Sequence, residues 1–266
     1  KGIYTAVSGA IAQSQKLDTI ANNLANVNTT GYKKDQQVFR EYLSAYEKEP
    51  SANTVPRVTA SIESFYDLNG GDKSYVEANG TYTDFSQGGL KPTGNNLDIA
   101  LEGNGFMEVL TPQGVRMTRN GALTISEKGQ LVTKEGYPVL LDGDPNNPQS
   151  RIISASGGNL NIASDGSVFL NNQNVGKLSL VTVEPLQALR KGGGSLYGLK
   201  DNMNPNIVRN ASVKVHQGFL EGSNVNVIKE MTDMIATNRL FESTQKAIKA
   251  FDEMDDKLVN SVPQLK

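Results

Sequence analysis

The chain has 266 residues, with 26 Lys and Arg against 28 Asp and Glu, for a formal net charge of −2. That balance gives no basic footprint for nucleic acid and no cationic surface for anionic lipid. The absence of cysteine excludes disulfides and zinc–thiolate sites, and a single histidine allows the commonest general base to appear only once. A hydrophobic content of 37% with 6% aromatics is lean for a compact enzyme, and 26 glycines point to many tight turns, so a structural or interaction protein fits better than a catalyst. No apolar run approaches the roughly 18 residues of a membrane span. No apolar segment with a small-residue cleavage site follows Lys1–Thr5, so no cleavable signal is expected.

The first thirty residues carry a stripe at 3–4 spacing: Ile3, Val7, Ala10, Ser14, Leu17, Ala21 and Leu24. This is the a/d pattern of a coiled-coil seam, narrow and interrupted by Ser14, and such a helix is marginal alone. Asn22, Asn23 and Asn26 sit badly in an exposed helix interior because their amides compete for backbone groups. The cost of unpaired buried amides favours contacts with neighbouring helices for this cluster. Thr29-Thr30-Gly31 then stops the helix, with Gly31 a left-handed cap residue. Pro50 to Pro56 reads as a linker.

Beyond the linker the period changes to two. Strands are expected at Leu97–Leu101, Phe106–Leu110, Val115–Arg119, Ala122–Ile125, Gln130–Thr133, Tyr137–Leu141, Ser167–Leu170 and Lys177–Val183. Turn pairs separate them, among them Asn120-Gly121, Lys128-Gly129, Asp142-Gly143, Asp165-Gly166 and Asn171-Asn172, and Gly192-Gly193-Gly194 reads as a loop. Short, regularly spaced strands of this kind predict an antiparallel barrel or sandwich.

From Val225 to Val259 neither Pro nor Gly occurs, which predicts a long helix. Ile228, Met231 and Ile235 mark one apolar face; Leu240, Phe241, Ala247, Ile248, Phe251, Met254 and Leu258 mark a second. The periodicity leaves open whether the two terminal helices pack within one chain or between chains. The expected fold class is α+β: a discontinuous, coiled-coil-like helical domain built from both ends, with an antiparallel β-rich domain inserted. The expected boundaries are a helical segment at 1–45, a linker at 46–60, a β domain at 61–215 and a second helical segment at 216–266.

The groups able to carry chemistry do not form a recognisable constellation. His216 lies in a strand-like stretch with no nucleophile or carboxylate implied by spacing, so a structural role is expected. Asp142, Asp144 and Asn146 mimic the start of a calcium loop, but Asn147 stands where the loop needs Gly and Ile153 where it needs Glu. Gly103-Asn104-Gly105 is half of a dinucleotide fingerprint and precedes a strand rather than a helix. No phosphate-binding Gly-Lys-Ser/Thr loop and no nucleophile elbow occurs, and Asp255-Asp256 reads as a solvated helix face. No catalytic residue, cofactor or metal is assigned.

Three segments are distinctive together. Ile20-Ala21-Asn22-Asn23-Leu24-Ala25-Asn26-Val27-Asn28-Thr29-Thr30-Gly31-Tyr32-Lys33, with Ser8-Gly9 upstream, closely resembles the N-terminal signature of the bacterial flagellar rod and hook proteins. Gly218-Phe219-Leu220-Glu221-Gly222-Ser223-Asn224-Val225 followed by Met231 to Glu242 resembles their C-terminal region. Asp98 to Phe106 followed by Thr118-Arg119-Asn120-Gly121 resembles their central region. Glu221 to Val225, Asp233 to Ala236 and Arg239 to Glu242 look most like the proximal-rod type, with Ile3-Tyr4-Thr5-Ala6 in agreement. The distal-rod type comes next, since Asn22 to Val27 is as typical of it.

The resemblance implies a subunit of the drive shaft, polymerising into a helical tube that passes torque from motor to hook. It also implies passage through the flagellar type III export apparatus and a place in the rod crossing the periplasm. The partners implied are copies of the chain, other rod and hook proteins, the export apparatus during secretion and the rings around the rod. The subunit contacts expected are Leu17, Asn22, Asn23, Leu24 and Asn26 from the first helix and Ile235, Phe241, Ile248 and Phe251 from the second. Rivals of another class are a secreted cell-wall glycan hydrolase, which needs a carboxylate pair in a cleft, and an adhesin on a coiled-coil stalk.

Overall fold

The computed structural model describes residues 2–44, 73–200, 203, 205–209 and 213–261. The expected linker, 46–60, and the start of the expected β domain lie outside the described residues, as does the side chain of Leu258. Among the described residues there are two α-helices, α1 (Gly2–Ala25) and α2 (Val227–Ser261), one at each end of a long run of strands. The chain divides into two compact units: the described parts of residues 1–21, 37–81 and 231–266, and residues 22–36 with 82–230. No described helix is long and apolar enough to cross a membrane.

The second unit is the β body. Six strands form its largest sheet, in the order Leu189–Gly193, Leu196–Leu199, Gly114–Thr118, Phe106–Thr111, Leu180–Glu184, Asn206–Arg209. Every neighbouring pair in it is antiparallel. Smaller antiparallel sheets surround it, including Lys214–Gln217 on Ile99–Glu102 and Phe219–Glu221 on Leu90–Pro92. The registers are set by turns whose residues tolerate positive φ. Asn171 and Asn172, at φ 50° and 66°, close the hairpin of Ser167–Leu170 with Gln173–Lys177. Tyr137–Leu141 is not a full strand; isolated bridges join Val139 to Val109, Leu140 to Ile152 and Leu141 to Leu178. The Gly192–Gly194 run does not lie wholly in a loop, because Lys191 and Gly193 pair with Tyr197 and Leu196 across a bulge.

Alternation along these strands fills two cores. The larger holds Ile99, Leu101, Val109, Leu131, Val139, Ile153, Val168 and Leu178, none more than 1% exposed. The smaller packs Phe106, Met117, Val181, Val183, Leu189 and Tyr197. Its aromatic rings meet edge to face or tilted, with Phe85, Phe106 and Tyr197 centroids 5.4–5.7 Å apart.

The first unit holds most of both helices and a two-stranded sheet of Asp35–Ser44 with Lys73–Thr83, which the second unit shares at its ends. Gln37 Nε2 donates to Gln15 Oε1 at 3.1 Å, so strand and helix touch inside this unit.

These observations overturn the expected α+β class with a coiled-coil-like helical domain. The chain is mostly β, a helix-flanked β protein, and the helices lack a coiled-coil seam. On α1, Val7, Ser14 and Ala21 of the expected stripe are exposed, whereas Ala12, Ile20 and Asn23 are buried. At about 100° per residue the buried set lies roughly a third of a turn around the axis from the stripe. On α2, Ile228, Met231, Ile235, Leu240 and Met254 are exposed and the buried positions are Glu230 and Thr237. A seam needs a run of apolar side chains at its buried positions; the described buried positions of α2 carry polar ones, and α1 buries only Ala12 and Ile20 beside Asn23.

If the larger core carries the body's stability, Leu178→Ala should cost about 2–5 kcal/mol in urea unfolding. Val208→Ala, at a position 45% exposed, should stay within about 0.5 kcal/mol. Similar losses from both would contradict this placement of the core.

Candidate functional site

The three distinctive segments, far apart in the chain, converge at one place in the β body. Its centre is the carboxylate of Glu221, which is 0% exposed. Glu221 Oε1 accepts from Lys33 Nζ at 2.7 Å and from the Gly88 N–H at 2.9 Å, and Oε2 accepts from Arg119 Nη1 at 3.1 Å. Lys33, also 0% exposed, donates further to the Ser86 carbonyl at 2.6 Å. Arg119 donates to the Gly103 carbonyl and stacks its guanidinium over Phe106, 5.4 Å from the ring centroid. One residue from each segment thus completes the cluster: Lys33, Arg119 and Glu221.

Backbone approaches as close as these require glycine. Gly31 sits at φ +67° and donates its N–H to the Glu221 carbonyl at 2.8 Å. A Cβ on Gly31 would lie 2.6–2.7 Å from the backbone of Arg119 and Asn120. Gly31 is therefore left-handed, but it does not cap α1, which has already ended at Ala25; it is the floor on which the central segment rests. Gly88 meets Gly222 in the same way, a Cβ there falling 2.0 Å from the Gly222 carbonyl oxygen.

A second layer covers the first. Asn224 accepts from the Lys34 N–H at 2.8 Å and donates to the carbonyls of Asp84 and Ser86 at 2.8 and 3.2 Å. Lys191 donates to the Lys33 carbonyl and to Asp35 Oδ2 at 2.8 Å, and its ammonium lies 4.2 Å from the Tyr32 ring centroid. Burial pushes the amines of Lys33 and Lys191 down from their ordinary value although Glu221 and Asp35 pull each the other way. Burial, helped by Asp35 and Glu230, pushes the Tyr32 hydroxyl up to about 12.

The asparagines of the first helix divide between two roles. Asn23, 2% exposed, uses its whole amide inside the chain. Its Oδ1 accepts from the Asp35 N–H at 2.9 Å and the Tyr32 hydroxyl at 3.2 Å; its Nδ2 donates to the Asp35 carbonyl at 2.8 Å and Glu230 Oε2 at 3.4 Å. Asn26 donates to the carbonyl and side chain of Asn22 at 2.8 and 2.9 Å and accepts from Thr29, closing the end of α1. Asn22 is exposed, and Leu17, Leu24, Phe241 and Ile248 are half-buried. Ile235 is 57% and Phe251 37% exposed. The structure therefore gathers only Asn22, Asn23 and Asn26 of the expected contact residues into this junction.

The junction holds fixed charges, each engaged by a partner, and presents no nucleophile to a substrate. The histidine lies apart from it: the His216 ring bonds Glu102 at 2.7 Å and meets Phe219 edge-on. That bond is the main reason the Glu102 carboxyl lies below its ordinary value. In the calcium-like stretch, Asp144 Oδ1 accepts from the Asn146 N–H at 2.9 Å, an Asx turn leading into the 3-10 helix Pro148–Arg151.

Comparison with known proteins agrees with this geometry. Residues 3–33 match the family described as flagella basal body rod protein, residues 100–170 the flagellar hook protein FlgE/F/G D1 domain, and residues 216–261 the flagellar basal body rod FlgEFG protein C-terminal region. The chain is 32% identical to the flagellar basal-body rod protein FlgG of Buchnera aphidicola subsp. Schizaphis graminum, over 96% of this chain and 97% of that one. It is 31% identical to FlgG of Bacillus subtilis, with 98% of each chain covered. It is 34% identical to the rod protein FlgF of Caulobacter vibrioides, over 92% of this chain and 90% of that one. The chain belongs to the flagellar basal-body rod protein family. It is a structural subunit of the rod and not an enzyme, and the segments that carry the family likeness are those that build the junction.

Two outcomes test the junction. Gly31→Ala should cost more in urea unfolding than Gly94→Ala. Both residues have φ near +70°, worth about 1–2 kcal/mol for an alanine, but a Cβ on Gly94 meets nothing within 4 Å. Equal losses would show that the contact with Arg119 and Asn120 is immaterial. The second outcome concerns alkali. Tyr32 ionises at about 10 when unfolded and at about 12 when folded, so its burial supports the fold fully below pH 10 and that support is lost as the pH climbs to 12. Lys33 and Lys191 act in the opposite sense, their contribution rising until the unfolded amine titrates near 10.5. The thermal midpoint should therefore fall more steeply between about pH 10.5 and 12 in the wild type than in Tyr32→Phe; parallel slopes would contradict the buried hydroxyl.

Proposed function

We propose that the subunit polymerises head to tail into a static helical tube that carries torque from the motor to the hook, with the apolar faces of its helices buried between neighbours. The observation that carries this reading is the exposure of both apolar faces of α2: Ile228, Met231 and Ile235, 78, 51 and 57% exposed, on one, and Leu240, Phe251 and Met254 on the other. Buried apolar area contributes about 25 cal/mol per Å2, so a modest patch repeated in every subunit makes a stiff polymer. Leu17, Leu24, Phe241 and Ile248 extend the contact on half-buried positions, and Asn22 and Asn26 supply polar groups at its edge. Asn23 would act indirectly, by holding the helix end to the body.

The neighbours are copies of this chain and other rod and hook proteins. The chain leaves the cell through the flagellar export apparatus and lies in the rod where it crosses the periplasm, within the surrounding rings. The proximal end of the rod is the reading supported by Glu221 to Val225, Asp233 to Ala236 and Arg239 to Glu242.

The test replaces Met231 and Ile235 together by Asp in the flagellated cell. The variant is expected to leave no rod in detergent-extracted basal bodies and to abolish swimming, while the purified chain keeps the urea midpoint of its β body. Normal swimming would sink the tube reading. The axial level of the wild-type chain in the same extracts, nearer the motor or nearer the hook, decides between proximal and distal.

A further inference from the structure

One face of the six-stranded sheet carries opposite charges at two corners, and neither is answered within the chain. Arg190 pairs with Gly198, and the Tyr197–Met117 register brings Arg116 to the other side of that glycine. A Cβ on Gly198 would lie 2.0 Å from Arg116 Nη1, so this guanidinium rests on the bare strand that separates the two arginines. The same face continues through Thr118, Met107 and Leu180, opposite one another in register, and reaches Glu184 by the two-residue period of its strand. The larger core covers the middle, where Met107 and Leu180 are 1% exposed. The corners stay open: Arg190 and Glu184 are exposed, Arg116 is half-buried, and Val208, beside the Glu184 corner, is 45% exposed. Among the described residues none of the three charged groups makes an ion pair. Two arginines flanking one glycine repel each other. Arg116 stands opposite Val109, whereas continuing the Met107–Leu180 register puts Glu184 opposite position 103, six residues along. That is a separation of about 20 Å or more at the ordinary strand rise, beyond the reach of either arginine in the same chain.

We propose that this face is a contact between copies of the chain: the Arg116–Arg190 corner of one subunit receives the Glu184 corner of the next. The occupant is a second copy because the chain itself supplies the complementary group, one of each to every subunit, on a single face of a single sheet. The two surfaces differ, so the contact is heterologous and repeats head to tail without pairing off. It rests on the rod reading and adds an ionic contact between β bodies to the apolar one made by the helices. An ion pair on an open face contributes little affinity; its effect is to reject a neighbour that brings like charge or the wrong orientation. Val208 adds a small apolar area at the Glu184 side.

The chain has no cysteine, so introduced ones report without background. Full-length Glu184→Cys and Arg190→Cys chains are co-expressed in flagellated cells lacking the wild-type chain, and detergent-extracted basal bodies are treated with a short bis-maleimide. The expected product is a dimer at twice 28.7 kDa, formed only when both chains are present. A second measurement uses charge reversal. Arg116→Glu with Arg190→Glu should lower the yield of rods by about tenfold, since like charges then meet at every contact. Adding Glu184→Arg to the same chain should restore the yield, with the urea midpoint of the purified chains unchanged throughout. Should the reversed chain fail to fold, the cross-link decides alone. The proposal is overturned by extracts that hold both cysteine chains yet give no dimer, by a product from either chain alone, by a product joined to a different protein, or by a folded reversed chain that assembles normally or is not rescued. These results leave the rod reading standing. Absence of both chains from the basal bodies of swimming cells would overturn the rod reading, and this contact with it.

Discussion

The buried carboxylate of Glu221 is the constraint from which the rest of the body follows. A charge with no exposed surface is costly, and leaving one unpartnered costs several kcal/mol. Glu221 escapes that cost only when Lys33, Arg119 and the Gly88 N–H are all in place. Lys33 comes from the start of the chain, Gly88 and Arg119 from its middle and Glu221 itself from its end, so no two of the three segments can settle without the third. The net gain over an apolar core of equal volume is small. What the cluster adds is a penalty on every arrangement in which one segment is missing or shifted in register.

The glycines make that cluster geometrically possible. Charged side chains as short as Glu can meet only if their backbones approach closely, and Gly31, Gly88 and Gly121 each lie where a Cβ would strike another backbone. The body uses the same device once more. Glu108, nearly buried, accepts from Arg151, Ser179 and Arg209, and Arg151 also bonds the Leu141 carbonyl at 2.7 Å. There the ionic group holds the turn of Asp142 to Ser150 against the large sheet. In both places a multiply bonded carboxylate gives direction where apolar contact would give none.

Much of the β body was legible in the sequence because its signals are local. Ser167–Leu170 and Phe106–Thr111 are short runs rich in apolar residues that end at turns with a positive-φ residue, Asn171-Asn172 and Gly114, so composition and punctuation agree. The Gly-rich edge strand Leu189–Gly193 was hidden because its pairing with Leu196–Leu199 depends on a bulge, which composition does not record. Helix existence was legible from the absence of Pro and Gly over Val225–Val259; helix orientation was not. Counting apolar residues finds a stripe, whereas burial along the described helices goes to Asn23, Glu230 and Thr237 beside Ala12 and Ile20. The junction was half legible. Lys33, Arg119 and Glu221 lie in the segments that carry the family likeness, whereas Asp35, Gly88 and Lys191 do not, and the pairing of Lys33 with Glu221 spans 188 positions and leaves no periodic trace. The one available sign was that each segment holds a charged residue within two positions of a glycine: Lys33 after Gly31, Arg119 before Gly121 and Glu221 before Gly222.

This distribution inverts the usual rule that apolar side chains go inside and polar ones outside. At the helix ends the chain buries an amide, a phenol and three charges; along α2 it leaves Ile228, Met231 and Ile235 in water. The two halves of the inversion have different physics. Hydrogen-bonded polar contacts are directional and short-ranged, so they fix which groups meet at the helix ends. Apolar contact is non-directional and scales with area, so it can be made by whatever neighbour arrives with a matching face. A subunit meant for a repeating polymer needs both properties, and needs them apart. If the apolar face were satisfied within the chain, nothing would drive addition. If the helix ends were held by apolar contact alone, the same force that joins subunits would also compete for those groups. Placing the directional contacts where both helices meet the β body, and the non-directional ones further out, lets one chain be complete at its centre and open at its ends.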